Sequence, residues 1–162
     1  MLRAKVQDAL TLAWINKVPI LQPSAPCDLV ARVLGSVLGK RTSNYVYVDF
    51  ASGAGGPTPY IEKQLNAQLA KEGKKEVDFV LSDISPHTQA WEAASKKSEN
   101  LHYIAKSVDA AAAPTKEELL EDVAETKGKG VMRLFSLAFH HFHDDFAKKI
   151  LKNTIETSDG FW

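Results

Sequence analysis

An α/β fold, with a parallel sheet covered by helices on both faces, is predicted by three features of this 162-residue chain. From residue 28 onward, short apolar runs of strand length alternate with segments of helical periodicity. The connections are long enough for the right-handed helical crossovers that parallel pairing requires. A carboxylate stands at or just beyond the end of three predicted strands, where open parallel sheets bind ligands.

Taken in order, Val6, Leu10, Ala13 and Trp14 share one helical face, and Pro19, Pro23 and Pro26 then break the chain. Residues 1–26 therefore read as a helix and proline-rich connector, and 27–162 as the core of a single domain. The pairs Leu29/Val30, Val33/Leu34 and Val37/Leu38 recur every four residues until Gly39, a helix stop. Tyr45 to Phe50 alternates β-branched and aromatic residues, a strand over 45–50. Gly53, Gly55 and Gly56 follow as a turn that can take positive φ and approach a ligand closely. Pro57 and Pro59 suit the first turn of a helix over 58–72, whose free amides are expected to face the glycines.

Ile61, Leu65 and Leu69 carry that helix, and a strand over 77–82 follows. Ser85-Pro86 caps a helix over 86–97, with a strand over 101–106 after it. Thr115 and Glu118 have capping-box spacing for a helix over 115–126. A strand over 131–137 and a helix over 144–156 complete the pattern. Asp159 to Trp162 reads as the turn into a fifth strand, so four strands are expected, with an open edge at the fourth. Such an edge invites a sheet-completing partner or a second copy of the chain, or marks a fragment.

Twenty basic and twenty acidic residues leave no global attraction to nucleic acid or anionic membrane. The N-terminus lacks the unbroken apolar core of a signal peptide, and no segment approaches the roughly 20 apolar residues of a membrane span. A cytoplasmic protein is expected. The single Cys27 has no disulfide partner within the chain and no His or Arg beside it, and reads as an incidental thiol. Trp14, Trp91 and Trp162 lie far apart without basic interleaving and read mainly as packing residues; Lys71, Lys74 and Lys75 read as a solvated turn.

The strand-end acids are Asp49, Asp83 and Asp109. Carboxylates accept from ribose hydroxyls, an exocyclic amine or an ammonium group, which describes a pocket for an adenosine-like ligand bearing a positive amine. With the run Asp49-Phe50-Ala51-Ser52-Gly53-Ala54-Gly55, these acids make the chain from about Leu29 onward resemble a class I S-adenosylmethionine-dependent methyltransferase. Ala51 stands where that family's first turn glycine would be. The resemblance implies a three-layer Rossmann-like sheet of about four strands here, in the order 3-2-1-4, and a methyl transfer from S-adenosylmethionine to an unidentified acceptor. It implies that Ala51, Gly53 and Gly55 pass the methionine and ribose portions and that Asp49 helps hold the ammonium group. Asp83 would accept from the ribose hydroxyls, Asp109 from the adenine amine, and Ile84 and Val108 would flank the ring. The family core has seven strands, so a non-catalytic donor-binding module is the alternative.

A nicotinamide-dinucleotide fingerprint fits less well. Its third glycine would fall on Thr58, and Asp83 lies 30 residues past Gly53 rather than about 20. No Gly-Lys-Ser/Thr follows the turn, which excludes a P-loop. In the related methyltransferases the segment after the fourth strand borders the methyl group. His140 and His141 are therefore the candidate bases, against the alternative of a solvated helix start. His140, His143 and Asp144 could begin a metal set, but no other Cys or His cluster completes it, and no metal is expected.

Overall fold

The computed structural model describes residues 12–17, 23–121, 123 and 128–162. Five strands make one all-parallel sheet: β1 (Tyr45–Asp49), β2 (Phe79–Leu81), β3 (Leu101–Tyr103), β4 (Gly130–Leu134) and β5 (Gly160–Phe161). Their order is β3-β2-β1-β4-β5, a Rossmann-like layout in which strand order reverses between β1 and β4 while every strand stays parallel. The helices are α1 (Pro26–Leu38), α2 (Thr58–Lys71), α3 (Thr88–Ser95), α4 (Lys116–Leu120) and α5 (Asp144–Thr157), with 3-10 turns at Gly39–Asn44 and Phe139–His141.

Alternation along β1 builds two cores. Tyr47 joins Leu34, Leu65, Phe79 and Trp91 on the side of α1 to α3. Val46, Val48 and Phe50 join Val80, Leu119, Leu120 and Ile150 on the side of α4 and α5. With both faces covered, β1 has buried side chains on each, which is why it reads as a continuous apolar run. Fully burying a side chain such as Phe50 or Phe79 contributes roughly 1.5–3 kcal/mol.

Arg133 lies in β4 and is buried beneath α5. Its guanidinium donates to Asn153 Oδ1 at 2.9 Å and to Thr157 Oγ1, and sits 4.4 Å from the centre of the Phe50 ring. Burial pushes its pKa down to about 10, still high enough to keep it charged at neutral pH.

The expectation of four strands with an open edge at the fourth is corrected. Gly160 and Phe161 pair with Met132 and Arg133, so β4 is interior and the sheet edges are β3 and β5. Two residues cannot display a period, so β5 is set by the neighbouring strand rather than by its own pattern.

Several boundaries also move. Pro26, assigned to the connector, opens α1 at its first turn, where its missing N–H costs nothing. Helix α3 begins at Thr88 rather than 86, because the Ser85 N–H turns back to Asp83 Oδ1 at 2.9 Å. Strand β4 stops at Leu134, three residues early. The Thr115–Glu118 capping box forms as predicted. Val6, Leu10 and Pro19 lie outside the described residues, as do 122 and 124–126 of the predicted 115–126 helix; residues 12–15 are helical, with Ile15 against the core. Among the described residues no helix is long and apolar enough to cross a membrane.

Candidate functional site

The loops after β1, β2 and β3 are stitched together at the carboxyl end of the sheet. Asp83, two residues beyond β2, accepts the Gly53 N–H on Oδ2 at 2.8 Å and the Ser85 N–H on Oδ1 at 2.9 Å. Its backbone carbonyl takes the Val108 N–H at 2.9 Å. Ser107 Oγ donates to the Ile84 carbonyl at 2.6 Å. Five of the expected ligand residues, Gly53, Asp83, Ile84, Val108 and Asp109, are thereby brought into one loop cluster. Val108 is buried, whereas Ile84 is 58% exposed, an apolar side chain left uncovered beside the acid. Asp109 spends Oδ1 on the Ala111 N–H at 2.8 Å, which shapes the turn after β3.

The glycine turn is held from both sides. Trp91, fully buried on α3, donates its indole N–H to the Gly53 carbonyl at 2.8 Å. Ser52 N–H bonds the Ser82 carbonyl at 3.1 Å. Ala51 has φ 56° and Gly55 φ 108°, so the turn needs left-handed backbone even at the position where alanine replaces glycine. A Cβ on Gly55 would sit 3.6 to 3.8 Å from Leu81, Pro59 and Trp91, so the constraint there is the backbone angle rather than space.

The expected free amides at the start of α2 are absent, which corrects the sequence reading. Pro57 and Pro59 have no N–H, Thr58 N–H is spent on the Gly55 carbonyl at 3.2 Å, and Tyr60 N–H on the Pro57 carbonyl at 3.0 Å. The Gly55 N–H is likewise spent, on the Ser52 carbonyl at 2.8 Å. A phosphate cradle needs several unspent amides converging on one point, and those of Gly55, Thr58 and Tyr60 are already taken.

Asp49 is placed differently from its partners. It is wholly buried at the end of β1, and its oxygens accept from Thr58 Oγ1 at 2.6 Å and from the Ser136 N–H at 3.2 Å. Ser136 Oγ lies 3.2 Å from Thr58 Oγ1, closing a triangle across the β1–β4 reversal. Loss of hydration on burial pushes the Asp49 carboxyl up to about 7, partly offset by these hydrogen bonds. Thr58, Trp91 and Ser136 brace the candidate site and were not picked out by sequence reasoning. Ser136 carried one usable signal, a small polar residue just past a strand end.

His140 and His141 lie on the 3-10 turn after β4, both exposed, with ring centres 3.9 Å apart. Among the described residues no hydrogen bond joins either ring to Asp49, Thr58 or Ser136. What fixes their segment is a run of ring contacts from Phe50 through Phe135, Phe139 and Phe142 to Phe146, at 5.0 to 5.9 Å. Among the described residues no three His, Cys, Asp or Glu side chains could together hold a metal ion.

A cavity of about 470 Å³ opens at the opposite end of the sheet, among Lys116, Lys129, Gly130 and Asp159. Its walls carry both signs of charge, and none of the strand-end acids Asp49, Asp83 and Asp109 lines it. No protein-family model, curated protein or solved structure matches this chain, so the geometry and the motif resemblance together carry the functional reading.

Proposed function

We propose that this chain binds S-adenosylmethionine at the carboxyl ends of β1 to β3 and is a methyltransferase toward an acceptor still to be identified. The carrying observation is the 2.8 Å bond that seats the Asp83 carboxylate on the glycine turn, beside the exposed Ile84. A carboxylate accepting one amide per oxygen keeps lone pairs for ribose hydroxyls, and Ile84 offers one apolar face to a base. The spent amides of Gly55, Thr58 and Tyr60 disfavour a pyrophosphate and hence a dinucleotide, leaving a nucleoside with a cationic tail as the better match. A sulfonium is already an activated leaving group, so the protein has to align donor and acceptor and exclude water. His140 or His141 would take a proton from an acceptor that needs one removed.

Calorimetric titration with S-adenosylmethionine, S-adenosylhomocysteine, ATP and NAD tests the reading. Binding of the first two, and not of the phosphorylated pair, is expected. Asp83→Asn keeps an oxygen for Gly53 but loses the charge and an acceptor site, and should weaken S-adenosylhomocysteine by about tenfold. No binding by either sulfur ligand would sink the proposal. Binding with no S-adenosylhomocysteine formed across an acceptor panel would turn it toward a non-catalytic donor-binding module.

A further inference from the structure

We propose that Asp49 is a positioning residue: it clamps the loop after β4 to the start of α2 and thereby presents Leu137 to the ligand, without touching the ligand itself. What Leu137 meets rests on the donor-binding reading above; the clamp does not. Asp49 has no exposed surface, and each of its oxygens already has a partner, Thr58 Oγ1 and the Ser136 N–H. With no exposed surface, its remaining lone pairs could meet an ammonium group only if the packing around it opened.

The residue after Ser136 carries the second half of the inference. Leu137 has φ 61°, where its Cβ crowds the following carbonyl, and its side chain is 38% exposed between the buried Leu134 and Ala138. Glycine would hold that backbone without strain, and a polar side chain would suit the exposure. Leucine serves neither need of folding. An exposed apolar side chain held in strained backbone, at the point where strand order reverses, is well placed for a ligand contact. The Asp49–Ser136 bond is the constraint that keeps it there.

Amide hydrogen exchange at Ser136 and Leu137 tests the clamp, and S-adenosylhomocysteine calorimetry tests its purpose, in the wild type, Asp49→Asn, Asp49→Ala and Leu137→Gly. Asp49→Ala should exchange at least about tenfold faster at Ser136 and bind about tenfold more weakly. Asparagine retains an acceptor for Ser136 and a polar group for Thr58, so Asp49→Asn should rescue both, to within about threefold of wild type. Leu137→Gly should melt higher yet bind about tenfold more weakly.

An Asp49→Asn protein as weak in binding as Asp49→Ala would mean that the charge meets the ligand, overturning the proposal. Unchanged exchange in Asp49→Ala would overturn the clamp, and unchanged affinity in Leu137→Gly would overturn the role of Leu137. If Asp49→Ala does not fold, Asp49→Asn against wild type and Leu137→Gly still decide. A wild type that binds no S-adenosylhomocysteine removes the donor reading and the role of Leu137 with it, while exchange still judges the clamp.

Discussion

In the loops that leave the sheet at its carboxyl end, 50–57, 82–87, 104–115 and 135–143, the Asp, Glu, Lys and Arg residues are Asp83, Lys106 and Asp109. Three of the loops that enter it at the other end, 39–44, 72–78 and 96–100, carry Lys40, Arg41, Glu72, Lys74, Lys75, Glu76, Asp78, Lys96, Lys97 and Glu99. The two ends use charge differently. At the entering end charges pair with one another: Asp78 accepts from Lys129 at 3.0 Å and contacts His102 at 3.4 Å, and Lys74 pairs with Glu72. At the leaving end carboxylates accept from backbone amides and a hydroxyl, as Asp83, Asp109 and Asp49 do. Asp83 and Asp109, holding neutral donors, offer charge to a cationic ligand, whereas buried Asp49 with its raised pKa does not. Carboxylates already paired with lysine have little left to offer one.

The sharpest way to break this contrast is pH. Burial raises the Asp49 pKa to about 7, whereas the bond from His102, then that from Lys129, lowers that of Asp78. Between about pH 4 and 7 the folded chain keeps a proton on Asp49 that the unfolded chain has released, so stability from this group falls as pH rises. Asp49→Asn should therefore be more stable than wild type at pH 8, by on the order of 3 kcal/mol, and equal to it near pH 4. Asp78 has the opposite sign. Its contribution is present above its unfolded pKa and is lost as pH falls through the lowered folded value. Asp78→Asn should cost about 1 kcal/mol at pH 7 and converge on wild type in acid. Urea denaturation across this pH range checks both, and parallel profiles for the two variants would erase the distinction.

A smaller effect is expected at Trp91. Trp91→Phe removes the indole donor to Gly53 and leaves a void, costing about 2 kcal/mol by denaturant titration. Glycines give the finest comparison. Gly73, at the entering end, has φ 67° and open space around its Cβ position, so Gly73→Ala should cost about 1 kcal/mol and leave ligand affinity unchanged. Gly55, at φ 108°, lies farther from any backbone an alanine tolerates. Gly55→Ala should cost about 1 kcal/mol more and lose affinity as well. Equal affinity losses at 55 and 73 would mean that the glycine turn has no special bearing on the ligand.

Much of this architecture could be read from the chain. Tyr45–Asp49, Thr58–Lys71 and Asp144–Thr157 match their predicted spans to within a residue, because each has a full face of regularly spaced apolar residues. Strands β2 and β3 came out shorter than predicted, since apolar residues flanking the ladders, Val77 before β2 and Ile104 after β3, are still buried. Strand β4 ends early because Ser136 turns its N–H to Asp49, 87 residues away in sequence. The glycines and acids of the site were legible as local motifs. Thr58, Trp91 and Ser136 were not, because what makes them site residues is sheet register, which brings Trp91 to Gly53 across 38 positions. The aromatic spacing at 135, 139, 142 and 146 was visible in the sequence but has meaning only once Phe50 is known to lie beside it.

If the donor-binding proposal holds, Pro57 and Pro59 bear on competition among ligands. Adenosine is common to phosphorylated cofactors and to sulfonium ones, so a pocket that recognised only the nucleoside would be open to whichever is more abundant. By deleting two amide donors at the helix start, the prolines withhold the reward a phosphate would collect there. Selectivity then requires no repulsive group, because omission is enough.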